Sequence, residues 1–400
     1  MMPNQNLNFL CISTYFKGQD FIKAAKAAGN NVYLLTKRKL QHEAWPWEAI
    51  NDTFFIDEWN DEHVQNGIAY QMRSIHFDRF IALDDFDVEK ATLLREHFRM
   101  PGMGQTTGRY FRDKLAMRIR AQEAGIPVPA FSALFNDDKV NLFANTVPAP
   151  WLVKPRAEAS AVGIKKVHSK EELWQVIHGL GDDRHRYLVE RFAPGSVYHV
   201  DGLNYQSEVL FASVSQYLDT PFDVAQGGGI FRSHTVGRSS KDNIELQKLN
   251  EKVMRAFGMQ YGASHTEFIK SNETGEYFFL ETSSRVGGAN LAEMVEYGTG
   301  INLWTEWARI ENAVLKDIPY DMPAVQNKYS GIVVSLSRFE HPDTSTFNDP
   351  ELVWRMNKEW HIGLIVAADT RERVLELLDH YTHRIGNEFH ASAPAPDKHD

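Results

Sequence analysis

At 400 residues the chain exceeds the size at which one hydrophobic core usually stops growing, so two to four structural units are expected. An apolar fraction of 43% and a charged fraction of 24% are those of a globular protein, and no apolar run is long enough to cross a bilayer. The formal charge of −10 excludes a broad surface for a nucleic-acid backbone but permits a local basic pocket, and one cysteine, Cys11, excludes disulfides and thiol-based zinc clusters.

The start, MMPNQNLNFL, has neither the basic flank nor the apolar stretch of a signal peptide, so a cytoplasmic setting is expected. NFLCIS reads as a buried strand, FIKAAKAAG as a short helix stopped at Gly29, and VYLLT as a second strand. FIALDDFDVEKATLLREHF continues with strand, acidic loop and helix, so a parallel α/β sheet is expected up to about residue 100. The first strand is not followed by G-x-G-x-x-G, so no dinucleotide site is assigned there. A helix from Arg112 to Ala124 is closed by Gly125 and the prolines of GIPVP. WLVKP and GIKKVHS read as short strands joined by RAEASAV, and Ser169 to Glu172 has capping-box spacing ahead of ELWQVIHGL. RYLVERF, VYHVDGLNY, EVLFASVSQYL, IFRSHTVG, SHTEFIK and YFFLETS read as strands, interrupted by the amphipathic helix IELQKLNEKVMRAFG. GIVVSLS, HIGLIVAA and RERVLELLDHY then form a closing α/β unit.

Two acids carry chemistry. The turn-rich SNETGE joins the strands bearing Glu267 and Glu281, and a hairpin centred on Thr274 sets these acids directly opposite one another, with His265 opposite Ser283. Like charges facing across a sheet are destabilising, so the pair asks for a cation, and hard oxygen ligands suit Mg²⁺. The plainer alternative is a pair of solvent-facing acids. Arg285, four residues on, offers a planar fork to a phosphate or carboxylate. Gly287 and Gly288 open the helix ANLAEMVEY, whose N-terminus suits an anion. Lys154 ends the strand WLV ahead of a loop of small residues that can lay backbone N–H groups over phosphates, although it is not a P-loop. In QGGGIFRSHTVG, Arg232 and His234 are either substrate-facing or ordinary strand residues.

In this order the elements RDKLAMRIRAQEAGIPVP, WLVKP, YLVERFAPG, HTEF and FLETSSRVGG resemble the ATP-grasp superfamily, in its biotin-carboxylase and carbamoyl-phosphate-synthetase type of architecture. The resemblance implies a fold of class α/β and α+β: an N-terminal Rossmann-like parallel sheet domain over 1–105, and a small ATP-grasp subdomain with the phosphate loop over 106–190. It further implies a large subdomain with the metal site over 191–320, a small C-terminal α/β unit over 321–390, and a flexible tail over 391–400. By position, Lys114, Lys154 and Ser160 would meet the nucleotide phosphates, and Glu190, Phe192 and Ala193 would line the adenine. Glu267, Glu281 and Ser283 would hold Mg²⁺ or Mn²⁺, and Arg285 would stabilise the transferred phosphoryl group. Arg232, His234, Gly287 and Gly288 are the candidate substrate contacts.

The chain departs from the pattern in three places. Ser283 replaces the asparagine of E-x-N-x-R, the phosphate loop has a single glycine, and Val197 stands where many members have a ribose-binding acid. The run VGGANLAEM is unlike that of biotin carboxylases and is nearer in style to carboxylate–amine ligases such as L-amino-acid ligases. The expected activity is therefore an ATP-dependent, ADP-forming ligation of a small-molecule carboxylate to an amine by a monomer or homodimer, with no nucleic acid or membrane partner. A bicarbonate-using carboxyphosphate enzyme and a non-catalytic ATP-binding protein are the alternatives.

Overall fold

The computed structural model describes residues 6–159 and 162–392, so Ser160 lies outside the described residues. The first sheet is parallel, with β1 (Asn8–Ser13), β2 (Asn31–Lys37), β3 (Asp52–Ile56) and β4 (Arg79–Ala82) in the order β3-β2-β1-β4. β1 and β4 are buried almost throughout, as expected for strands covered on both faces. α1 (Gln19–Ala27) turns Phe21, Ile22 and Ala25 inward, while α2 (Asp61–Gln71) is capped by the Asn60 side chain accepting from the His63 N–H. α3 (Val88–Phe98) follows β4. The strand order reverses between β1 and β4, and at such switch points the loops beyond the strand ends form a crevice. The loop after β4 carries Asp84, Asp85 and Asp87, all buried.

After α4 (Gln105–Arg109) comes α5 (Lys114–Glu123), whose N-cap Asp113 accepts from the N–H groups of Leu115 and Ala116. The second sheet is small and antiparallel: β5 (Phe131–Ala133), β6 (Trp151–Pro155), β7 (Lys165–Val167) and β8 (Tyr187–Arg191) in the order β5-β8-β6-β7. α6 (Asp137–Thr146) and α7 (Lys170–Leu180) close its core through Val140, Phe143, Leu173 and Ile177. Ser169 caps α7 by accepting from the Glu172 N–H, and Glu172 reaches back to the His168 N–H.

The third sheet has eight antiparallel strands in the order β13-β12-β9-β10-β11-β14-β16-β15. They are β9 (Gly195–Tyr205), β10 (Glu208–Tyr217), β11 (Phe231–Thr235), β12 (Gly262–Ser271), β13 (Tyr277–Ser283), β14 (Tyr329–Leu336), β15 (Leu352–Arg355) and β16 (His361–Ala368). β14 and β16, expected to belong to a small closing unit, hydrogen bond into this same sheet through β11, and β15, which the sequence pattern does not mark, adds to its edge. A short helix, α8 (Pro221–Gly227), links β10 to β11, and α9 (Lys241–Phe257) lies on one face with Leu246, Val253 and Phe257 buried. α10 (Leu291–Thr299) packs Leu291 and Met294 on the other face against Val197, Tyr217 and Ile269. α11 (Leu303–Lys316) packs against α1, and α12 (Arg371–Glu388) buries Val374, Leu377 and Leu378 beside Val333 and Leu364. The two faces of the sheet are thus covered by different helices, and the α10 face opens beside β12 and β13 to a cavity.

Candidate active site between the sheets

β12 and β13 pair with Glu267 opposite Glu281 and His265 opposite Ser283, the register expected from a turn centred on Thr274. The pairing slips between Glu267 and Phe268, where Leu280 is the extra residue of a bulge on β13. The fully buried Arg118 of α5 donates to the Leu280 carbonyl, fixing the bulge from behind. The two facing carboxylates have separate partners. Glu267 accepts from the Tyr217 hydroxyl at 2.8 Å, and Glu281 meets Lys114 Nζ at 2.6 Å. Lys114 also donates to the Glu158 carbonyl at 2.6 Å, which ties the loop after β6 to the acid pair. Burial pushes the Glu281 carboxyl up, but the charges of Lys114 and Lys154 outweigh it and hold the group below its ordinary range. Glu281 is therefore a carboxylate at neutral pH.

Behind the small sheet, Glu190 accepts from Lys154 and, at 2.9 Å, from Arg118 Nη2. Burial pushes the Lys154 amine down to about 8, against the pull of Glu190. Burial would raise the Glu190 carboxyl, yet Arg118 and Lys154 hold it low. Lys154 thus stays mostly protonated at pH 7 and loses its proton as pH rises through about 8, so at neutral pH Glu190 is held between two cations.

Two cavities meet at the acid pair. The first, about 380 Å³, runs under the small sheet and is lined by Leu152, Lys154, Val162, Ile164, Glu190, Phe192, Ala193, Val197 and Leu280. The second, about 310 Å³, is lined by Asp85, Phe111, Arg112, Tyr217, Phe231, His265, Ser283, Arg285, Gly288 and Leu291. Lys114, Ala159, Pro221, Glu267 and Glu281 belong to both. One cavity is apolar-walled with a lysine at its end, and the other carries guanidinium and imidazole groups. Such a pair suits two ligands that react where they touch.

The structure brings together Lys114, Lys154, Glu190, Phe192, Ala193, Glu267, Glu281, Ser283, Arg285 and Gly288 around these cavities. Phe192 carries Lys166 Nζ 3.6 Å from its ring centroid and has Phe222 as its aromatic neighbour. The N–H groups of Arg191 and Phe192 are spent on the carbonyls of Ala130 and Pro150. Gly287 lines neither cavity. A Cβ there would lie 2.7 Å from Asp201 Oδ1 and 2.9 Å from His265 Nδ1, so glycine is needed for close packing and not for an anion.

Arg232 and His234 fall on the opposite face of the sheet from the acids. Arg232 pairs with Asp219 at 2.7 Å and with Asp379 of α12 at 3.1 Å. His234 is fully buried, with Nδ1 2.9 Å from the Thr235 carbonyl oxygen, and burial pushes it down to about 4. Side chains alternate along a strand, so the cavity receives Phe231, and Ser233 turns to the same face.

Several residues at the site escaped the sequence reading. Asp85, from the acidic loop after β4, accepts the Ser283 hydroxyl and pairs with Arg112 Nη1 at 2.5 Å. Arg112 also donates to the Ala157 carbonyl in the loop after β6. Beneath the second cavity, Asp201 accepts from His199 Nδ1 at 2.6 Å and from His265 Nδ1 at 2.8 Å, and His199 Nε2 lies 2.7 Å from Ser233 Oγ. These three groups are spaced closely enough for a metal, but the ring nitrogens of His199 are both committed to hydrogen bonds and Nδ1 of His265 is held by Asp201. Burial works against a charge on His265, but Asp201 prevails and raises it to about 9. A cationic imidazole therefore stands 3.7 Å from Glu267.

Among solved structures, an L-amino acid ligase from Bacillus licheniformis superposes with a TM-score of 0.76 at 17% identity, covering 97% of this chain and 98% of that one. An N5-carboxyaminoimidazole synthetase from Staphylococcus aureus, complexed with ADP, gives 0.71 at 12% identity over 96% of this chain and all of that one. The chain has an ATP-grasp fold. The family model for the D-ala D-ala ligase C-terminus matches residues 121–222, the small sheet and the first strands of the large ATP-grasp sheet. An L-arginine-specific L-amino acid ligase from Bacillus subtilis is 25% identical over 259 residues, and a D-alanine–D-alanine ligase from Flavobacterium johnsoniae is 26% identical over 267. These alignments take in 63% and 62% of this chain, and 62% and 81% of the relatives. The chain thus spans about three-fifths of the length of the first of these relatives.

Proposed function

We propose that the protein is an ATP-dependent, ADP-forming ligase that activates a carboxylate as an acyl phosphate and joins it to an amine, with an amino acid among its substrates. The observation that carries the reading is the position of Glu267 and Glu281 at the meeting of the two cavities. The kinship to L-amino acid and D-alanine–D-alanine ligases supports the same chemistry.

In the proposed reaction a carboxylate oxygen attacks the γ-phosphorus of ATP, the bond to the bridging oxygen breaks, and ADP leaves. The amine nitrogen then attacks the acyl carbon, loses a proton and expels inorganic phosphate. Such transfers need positioning and charge neutralisation more than covalent help from the protein. The nucleotide belongs in the first cavity, with the purine between Leu152, Ile164, Val197 and Leu280, and the phosphates toward Lys154, Lys114 and the loop. Two carboxylates with an adjacent hydroxyl fit a hard divalent cation. Mg²⁺ or Mn²⁺ held by Glu267, Glu281 and Ser283 would supply neutralisation of phosphoryl charge. Arg285 and the cationic His265 face the second cavity, where they would hold the acid's carboxylate and the charge that develops on it.

The test is an ADP-release screen over amino acids and small carboxylates, with mass spectrometry of each hit. The expected result is ADP formed together with a product whose mass is the sum of acid and amine less water. Glu281→Gln should lower that rate by at least about 100-fold. Unchanged ADP release in Glu281→Gln refutes the reading, and bicarbonate-dependent ATP hydrolysis without an amine replaces it with the carboxyphosphate alternative.

A further inference from the structure

Ser283 has one proton to donate, and it gives it to Asp85 Oδ1, 198 residues away in the chain. The acceptor is not a surface acid that happens to lie near. Asp85 is 8% exposed, stands at the end of β4 at the switch point of the parallel sheet, and has its other oxygen fixed by Arg112 at 2.5 Å. A serine hydroxyl whose proton is committed in one direction presents its lone pairs in the others. Ser283 lines the second cavity together with Glu267 and Glu281. Arg112 holds Oδ2 of Asp85 and Arg285 Nε lies 3.7 Å from its Oδ1, so the carboxylate is held in place and its free acceptor sites on Oδ1 fix the direction of the Ser283 hydroxyl.

We propose that Asp85 is a positioning residue for the metal: it locks the Ser283 hydroxyl so that Oγ is turned to the divalent cation held by Glu267 and Glu281. The inference rests on the reading of that acid pair as a metal site. It makes cation binding depend on the N-terminal parallel sheet, through one carboxylate that orients a ligand from outside the first coordination shell. It also gives the serine at 283 a function of its own.

The experiment is Mn²⁺ binding followed by electron paramagnetic resonance, in the presence of a non-hydrolysable ATP analogue. The full chain is compared with Ser283→Ala, Asp85→Asn and the double variant. Each single substitution should weaken Mn²⁺ by about 10–100-fold, and the double should be no weaker than the worse single, because both break the same unit. Ser283→Ala leaves the Asp85–Arg112 pair intact, so its result does not depend on whether Asp85→Asn folds well. Wild-type Mn²⁺ affinity in Ser283→Ala overturns the proposal. So do additive losses in the double variant, which would mean that Asp85 acts through Arg112 or Arg285. Failure of the wild-type chain to bind Mn²⁺ with nucleotide overturns the metal reading itself.

Discussion

Replacing Glu190 by glutamine removes one negative charge from a group in which three charged side chains are each 7% exposed or less. Two cations are left in the space that held one anion between them. The Arg118 guanidinium is then left buried without a counter-charge, with the Leu280 carbonyl as its remaining partner. Lys154 can shed its proton: burial has already pushed it down to about 8 against the pull of Glu190, and without that pull it falls further and is neutral at pH 7. Breaking a buried pair costs about 3–5 kcal/mol, and at about 1 °C per kcal/mol for a chain of this length the melting temperature should fall by at least about 3 °C. Differential scanning calorimetry is the assay. The earliest transition should be followed, since a chain with three sheets need not melt in one step. A second signature concerns pH. In the wild type Lys154 loses its proton as pH rises through about 8, so the Lys154 part of the Glu190 pairing is already gone at pH 9.5. The difference between wild type and Glu190→Gln should therefore be smaller at pH 9.5 than at pH 7, with the Arg118 part remaining. A variant that melts within about 1 °C of wild type at pH 7 refutes the reasoning, because such a shift is what a surface substitution gives.

His265 has a raised value of about 9, so its contribution to stability is fully present below about pH 6.5 and is lost as pH rises through about 9. In the presence of a chelator, the stability gap between wild type and His265→Gln, measured by urea unfolding, should shrink steadily over that window. Gly287→Ala should cost about 1–3 kcal/mol, read as a lower denaturation midpoint, since its Cβ runs into Asp201 and His265. Arg232→Ala should leave kcat for ligation within about twofold, since its partners lie on the far face, whereas Arg285→Ala should lower kcat by about 100-fold. Equal effects of the two in the ADP-release assay would contradict the assignment of faces.

The hairpin was legible because the apolar runs on either side of SNETGE and its turn residues leave few registers open, and the one chosen pairs Glu267 with Glu281. The bulge at Leu280 left no mark in the sequence, because its cause is Arg118, a residue far away in the chain that takes the Leu280 carbonyl. The face of β11 stays open in the sequence for a related reason. Arg232 and Ser233 are both polar, and the direction of such a strand is set by its neighbours β10 and β14, not by its own pattern. Asp85 was visible as part of an acidic loop, and only the fold brings it to Ser283. Its signal was positional: an acid just beyond a buried strand of a parallel sheet, where a crevice forms.

The placement of β14 within the large sheet has a consequence for biosynthesis. α10, whose start borders the second cavity, is held from outside by β14, where the Ser330 hydroxyl donates to the Met294 carbonyl at 2.6 Å. β14 is in turn flanked by β16, which ends at Ala368. A ribosome that has delivered the acid pair and Arg285 has therefore delivered a site with one wall still loose. The part of α10 that faces β14 and β16 stays uncovered until about 80 further residues emerge, which at about 5–20 residues per second is a delay of several seconds in which a chaperone or a second nascent chain can reach it.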